Sequence, residues 1–114
     1  MLLDVSNRES LELRYAESRV EAFDLVNELN APVIFYDRDW PNAEWRTTVH
    51  TFASHPHRPC VILASRVVDD YLWQELVRRG GHDVLAKPLR IEDVTRAIKL
   101  ALSFRKGAKR AANE

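Results

Sequence analysis

One short stretch, Val33-Ile34-Phe35-Tyr36-Asp37, decides the fold of this chain. A run of four apolar and aromatic residues without polar alternation predicts a strand that is buried on both faces, as in a parallel sheet. The strand ends in a carboxylate and a polar loop, residues 37–42. Because parallel sheets carry their sites at the carboxyl ends of their strands, Asp37 is the first candidate site residue.

Two similar runs follow along the chain. Residues 60–64 are apolar and close on Ser65, and residues 84–86 are apolar and end at Lys87-Pro88. Apolar residues at helical spacing lie between these runs and after them, and residues 11–16 predict one more strand before the first helix. This alternation predicts an α/β fold with a parallel sheet and helices on both of its faces.

Composition sets the broad class of the protein. The chain has 114 residues, one cysteine, and 17 basic residues against 17 acidic ones. We therefore expect a single domain over residues 1–106 and a basic, flexible tail over residues 107–114. A balanced charge gives no general attraction to nucleic acid or to a membrane surface, and no apolar run reaches the length of a membrane span. The expected compartment is the cytoplasm.

Three polar residues should meet at one edge of the sheet, since Asp37, Ser65 and Lys87 each follow a buried strand. A carboxylate can attack phosphorus, an ammonium can pair with phosphoryl oxygens, and a hydroxyl can donate a hydrogen bond to them. The three side chains together predict a phosphoryl-transfer site. The structural alternative is that all three are ordinary polar strand ends.

The order and spacing of these motifs resemble the receiver domains of bacterial response regulators. The matching pieces are the strand into Asp37-x-x-x-Pro41, the strand into Ser65, and the segment from Gly81 to Pro88. The intervals of 28 residues from Asp37 to Ser65 and 22 from Ser65 to Lys87 also match. The resemblance covers about residues 10–104 and implies a flavodoxin-like, doubly wound sheet.

The resemblance also implies roles for individual residues. Asp37 is expected to be the phosphoacceptor, Ser65 the switch hydroxyl and Lys87 the active-site lysine, with a cis Lys87-Pro88 bond. The expected phosphoryl donor is a histidine kinase or a phosphotransfer protein. A downstream protein partner is expected at the surface around Tyr71, Trp73 and Val84.

Three departures from the family pattern make the chain a partly degenerate member. Val84 stands where the family has its switch aromatic, and Arg66 stands where a small residue is usual, so Arg66 could bind phosphate or block it. Only ten residues precede Leu11, too few for a strand and a crossover helix. We therefore expect the first strand and most of the first helix to be absent.

The short front has two expected consequences. The acidic pair that holds Mg²⁺ in this family is missing, and Asp4 is a poor substitute for it. Asp37 and Asp39 are then the candidate metal ligands for a weakened Mg²⁺ site. In the family's strand order, 2-1-3-4-5, the missing strand lies inside the sheet, so its loss would expose an edge and invite a homodimer. A coding frame that starts upstream, or a decayed gene, would explain the short front.

Three functions follow from the sequence. The first is a phosphoaccepting receiver of two-component signal transduction, which is not an enzyme beyond its own phosphorylation and dephosphorylation. The second is a pseudo-receiver that binds partners without phosphorylation. The third is a small phosphohydrolase of the haloacid-dehalogenase type, suggested by Asp37-x-Asp39 with Ser65 and Lys87, although only one helix follows Lys87.

One further motif allows two interpretations. His55-x-His57 has the spacing of a metal-binding pair, but no third ligand stands at a useful interval. The simpler prediction is a surface loop.

Overall fold

The computed structural model describes residues 2–7, 10–39 and 44–113, with the side chains of residues 14–39 and 44–107. Two strands come first, β1 (Leu2–Asn7) and β2 (Ser10–Arg14). Helix α1 (Arg19–Leu29), strand β3 (Val33–Asp37), helix α2 (Trp45–Ala53) and strand β4 (Cys60–Ser65) follow. The last described elements are helix α3 (Asp70–Arg78), strand β5 (Asp83–Ala86) and helix α4 (Ile91–Asn113).

Local signals explain where the helices begin and end. Ser18 caps α1 by accepting a hydrogen bond from the backbone N–H of Glu21, and Asp69 caps α3 by accepting one from Leu72. Asn30 ends α1 in the left-handed conformation, at a φ of 53°. Gly80, at a φ of 89°, turns the chain from α3 toward β5.

The residues that the structure describes form a sheet of five strands in the order β2-β1-β3-β4-β5. Strands β3, β4 and β5 are parallel, as predicted from their apolar runs. Strand β1 pairs antiparallel with both β2 and β3, and its contact with β3 places Leu3 opposite Val33. This strand order is the same as the 2-1-3-4-5 order that the resemblance implied. However, the interior strand β1 is antiparallel to its neighbours and forms a hairpin with β2.

The described elements include no parallel first strand with a crossover helix, but its place in the sheet is not empty. A strand, β1, does fill the interior position beside β3, although no crossover helix joins it to β2. It runs in the opposite direction to β3, so Asp4 lies beyond the amino end of β3. At about 3.3 Å per residue, that places the backbone of Asp4 roughly 15 Å from that of Asp37. Asp4 thus cannot replace the acidic pair.

Two core layers enclose the parallel strands. Alternate residues of β3 and β4, such as Ile34 and Leu63, pack with α1, α2 and α3. The residues between them, such as Phe35 and Ile62, pack with α4. Both faces of β3 and β4 are buried, which explains why these strands read as continuous apolar runs.

The last helix differs from the sequence-based expectation. Helix α4 continues to Asn113, so the backbone of residues 107–113 is helical where a flexible tail was predicted. In the part of the chain that is described, no helix is both long and apolar enough to cross a membrane.

Candidate functional site

The strand register brings the three predicted site residues to neighbouring strand ends. Asp37 is paired with Ala64, and Ser65 is paired with Ala86. The backbone N–H of Lys87 donates to the carbonyl of Ser65 at 2.9 Å, which continues the β4–β5 ladder past the end of β5. Asp37, Ser65 and Lys87 therefore lie at one edge of the sheet, as the sequence predicts.

Asp37 and Lys87 form a close ion pair. The Lys87 Nζ lies 3.0 Å from Oδ1 and 2.9 Å from Oδ2 of Asp37, so it contacts both carboxylate oxygens. The hydrogen bonds to Asp37 raise the pKa of Lys87 above its usual value, which keeps it charged. The Asp37 side chain remains 47% exposed. Its carboxylate is therefore accessible to a partner or a reagent from solution.

The hydroxyl of Ser65 has a different orientation from the one a phosphate sensor would need. Ser65 is fully buried, and its Oγ donates to the carbonyl oxygen of Val67 at 2.7 Å. The same Oγ accepts a hydrogen bond from the backbone N–H of Val67 at 3.2 Å. Ser65 thus lies beside the site through its backbone, while its hydroxyl binds the loop that follows β4.

Asp39 forms hydrogen bonds with Arg66 and Asp37 that were not predicted from the sequence. Its Oδ2 accepts a hydrogen bond from the backbone N–H of Arg66 at 2.9 Å and lies 3.4 Å from Lys87 Nζ. Its own backbone N–H donates to Asp37 Oδ1 at 2.9 Å. The hydrogen bond from Arg66 is the main reason why the pKa of Asp39 lies below its usual value. Asp39 therefore joins the loop after β3 to the loop after β4.

The described side chains offer two carboxylates, Asp37 and Asp39, to a divalent cation at this edge. They include no cluster of three or more acidic, histidine or cysteine side chains that could hold a metal. The two carboxylates at the site, Asp37 and Asp39, already share the Lys87 ammonium. Their role as Mg²⁺ ligands stays a prediction.

The predicted partner surface is only partly exposed. Tyr71 is 60% exposed and Trp73 is 37% exposed on α3, and the hydroxyl of Tyr71 accepts a hydrogen bond from Arg46 of α2 at 3.3 Å. Val84 is 7% exposed and belongs to the core. Of the three side chains predicted to mark a partner surface, Tyr71 and Trp73 are therefore accessible and Val84 is not.

The segment of His55 and His57 is a loop with an exposed His57, as predicted, but His55 itself is buried. Its ring is buried against Phe23 of α1, and its Nε2 lies 2.6 Å from Asn27 Oδ1. Its Nδ1 accepts a hydrogen bond from the backbone N–H of His57 at 3.0 Å. Both ring nitrogens thus have protein partners. The sequence offers no signal for this burial, because the partners come from a helix 28 residues away.

The haloacid-dehalogenase alternative gains no support from the geometry. Such an enzyme would need a further acidic pair on a strand after Lys87. The described chain continues from β5 into α4 without another strand, and Glu92 and Asp93 lie in the first turn of that helix.

Comparison with known proteins identifies the fold. No protein-family model matches the chain. No curated protein matches it in sequence. Solved structures do match. A response regulator from Thermotoga maritima is 22% identical, with a TM-score of 0.69 over 79% of this chain and 75% of that one.

Two further structures extend the comparison. The receiver domain of a putative Luxo repressor protein from Vibrio parahaemolyticus is 18% identical, with a TM-score of 0.74 over 88% of this chain and 77% of that one. NtrX from Brucella abortus is also 18% identical, with a TM-score of 0.73. The match covers 90% of this chain but only 23% of that longer protein. The chain thus has the flavodoxin-like fold of response-regulator receiver domains.

Proposed function

We propose that this chain is a receiver module of two-component signalling and that Asp37 accepts the phosphoryl group. The observation that supports the proposal is the half-exposed Asp37 carboxylate, held by the Lys87 ammonium at 2.9 Å at the carboxyl edge of the parallel strands. A carboxylate in this position is open to an incoming phosphorus, while the ammonium limits the accumulation of negative charge.

The proposed donor is a phosphohistidine on a histidine kinase or a phosphotransfer protein. An oxygen of Asp37 forms a bond to phosphorus as the bond from phosphorus to the imidazole nitrogen breaks. The electron pair of that bond goes to the imidazole. Lys87, which already contacts both oxygens of Asp37, then pairs with the oxygens of the new acyl phosphate.

The proposed output is a protein contact on α3. Tyr71 and Trp73 are exposed there, and α3 begins four residues after Arg66, whose N–H binds Asp39 of the site. A change at the site therefore has a short route to this surface. We propose that the partners of this chain are proteins, and not nucleic acids or membranes. We also propose that the chain acts in the cytoplasm.

A second candidate is a module that binds its partner without phosphorylation. One observation favours it. Asp39 already supplies a negative charge to Lys87 and to the Arg66 N–H in the unphosphorylated chain. The arrangement that a phosphoryl group would induce could thus exist in its absence.

Phosphorylation of the purified chain tests the proposal. We expect acetyl phosphate with Mg²⁺ to add one phosphoryl group to the wild-type chain and none to Asp37→Asn, as measured by intact mass. Asp24→Asn is the matched control, because Asp24 is an exposed carboxylate on α1, away from the site. This control should be labelled like the wild type.

Two outcomes would contradict the proposal in different ways. A folded wild-type chain that takes up no phosphoryl group would favour the second candidate. A label that persists in Asp37→Asn would assign the acceptor to another residue.

A further inference from the structure

Two hydrogen-bond donors at the site have an acidic partner from the chain itself. The backbone N–H of Arg66 donates to Asp39 Oδ2 at 2.9 Å, and Lys87 Nζ lies 3.4 Å from the same oxygen. Asp39 has 22% of its side chain exposed, half the value of Asp37. The inner of the two carboxylates is therefore the one that both donors share.

These donors are the ones that a phosphoryl group on Asp37 would need. Lys87 Nζ contacts both oxygens of Asp37, so it lies next to any phosphorus that is bonded to either of them. Arg66 is the first residue after β4, and the strand register sets Asp37 beside Ala64, two residues before it. A backbone N–H at this place is fixed in direction, as anion-binding donors usually are.

We propose that Asp39 is an internal competitor that occupies the anion-binding donors of the site until a phosphoryl group displaces it. The inference rests on the proposed function, because it concerns the regulation of the same site. Two anions cannot both use the Arg66 N–H at full strength, and their like charges repel. Phosphorylation of Asp37 thus releases Asp39 from Arg66.

The release gives the site a mechanical output. The Asp39–Arg66 hydrogen bond joins the loop after β3 to the loop after β4. The second of these loops leads through Val67, which binds the Ser65 hydroxyl, to Asp69, the cap of α3. When Asp39 leaves, the loop that begins α3 loses this hydrogen bond to the loop after β3. The exposed α3 surface that carries Tyr71 and Trp73 then responds to the state of the site.

Binding of inorganic phosphate tests this proposal without any phosphoryl transfer. All variants carry Asp37→Asn, which removes the acceptor and its charge. In this background, Asp39→Ala should free the Arg66 N–H and Lys87. We expect orthophosphate, in buffer without Mg²⁺, to shift the Arg66 amide signal in nitrogen-15 NMR spectra. Its affinity should exceed that of the Asp37→Asn background by about tenfold or more, the effect of one charge-assisted hydrogen bond.

The matched control replaces Asp24 by Asn in the same background and should bind phosphate as the background does. If Asp39→Ala disrupts the fold, which the same spectra report, Asp39→Asn removes the charge and keeps the shape. Equal phosphate affinity with and without Asp39 would overturn the proposal, and so would an Arg66 amide that responds in no variant.

The result is separable from the proposed function. Suppose that phosphate binds more tightly without Asp39, but the wild-type chain takes up no phosphoryl group from acetyl phosphate. Asp39 would then compete for the anion-binding donors, and the proposal that Asp37 is a phosphoacceptor would be refuted. Normal labelling of Asp37 with unchanged phosphate binding would do the reverse.

Discussion

Two carboxylates only two residues apart have different environments in this protein. Asp37 faces solvent and pairs with Lys87, whereas Asp39 turns inward to the backbone of Arg66. The sequence predicts that Asp37, Ser65 and Lys87 converge, because strand ends determine backbone positions. It does not predict that Asp39 binds Arg66 or that the Ser65 hydroxyl binds Val67. Those contacts depend on loop conformations that no periodic pattern records.

His55 leads to a prediction about pH. Burial is the main reason why its pKa lies below the usual 6.5, and the adjacent His57 ring lowers it further. The folded state therefore favours the neutral ring, with Nδ1 accepting from the His57 N–H and Nε2 donating to Asn27. Because the unfolded chain binds the proton more tightly, the free energy of unfolding should be greatest above about pH 6.5 and fall below it.

Urea unfolding at several pH values measures this effect. The slope from His55 is at most about 1.4 kcal/mol per pH unit between its two pKa values. His55→Gln should reduce the loss of stability between pH 6.5 and 5. His50→Gln, at an exposed position on α2, is the control and should retain the loss. An unchanged pH dependence in His55→Gln would contradict the role of this ring.

At the scale of elements, the difference between prediction and structure lies in β1. Ten residues cannot hold a strand and a crossover helix, so the sequence indicated a missing strand. They can hold one strand of an antiparallel hairpin, because antiparallel neighbours need only a two-residue connection and parallel ones need a dozen or more. Only residues 8 and 9 separate β1 from β2. The parallel strands and helix caps were predictable, since each depends on local residues.

The turn between α3 and β5 gives a prediction of its own. Gly80 has a φ of 89°, and a Cβ at this position would lie 2.8 Å from the Cβ of Ala53 on α2. Gly80→Ala should therefore lower the free energy of unfolding by roughly 1–3 kcal/mol, through backbone strain and this contact. Thermal or chemical unfolding would measure the loss.

Gly107 is a matched control for the same substitution. It lies within α4, with no atom within 4 Å of an added Cβ. Gly107→Ala should leave stability unchanged or raise it by up to about 1 kcal/mol, because alanine favours a helix. If both substitutions had the same effect, the special geometry of Gly80 would be refuted.

At the scale of the whole molecule, the hairpin shields the sheet. Strand β1 pairs with β3 at Leu2 and Leu3, so Val33 and Ile34 of β3 have a paired strand on each side. The sequence-based expectation of a dimer depended on an open edge at this place. Strands β2 and β5 are the edges instead.

Removal of the hairpin should restore that edge. A chain without residues 1–14 would leave β3 with unpaired backbone groups beside an apolar strand, which favours pairing with a second copy. We expect this variant to self-associate at concentrations where the full chain does not, as measured by sedimentation velocity. A truncated chain with the same association state as the full chain would show that β1 does not shield β3.

The direction of β1 also determines where an affinity tag or a fluorophore can be attached without covering the site. Leu2 lies opposite Ile34, so the chain enters β1 from the end of the sheet that carries Asp37. Helix α4 starts at that same end and runs to the far one, where Arg105 reaches the carbonyl of His57. An affinity tag or a fluorophore attached ahead of Leu2 would extend from the end of the sheet that carries Asp37 and could obstruct the loop that carries Asp39. One attached after α4 would leave that loop clear.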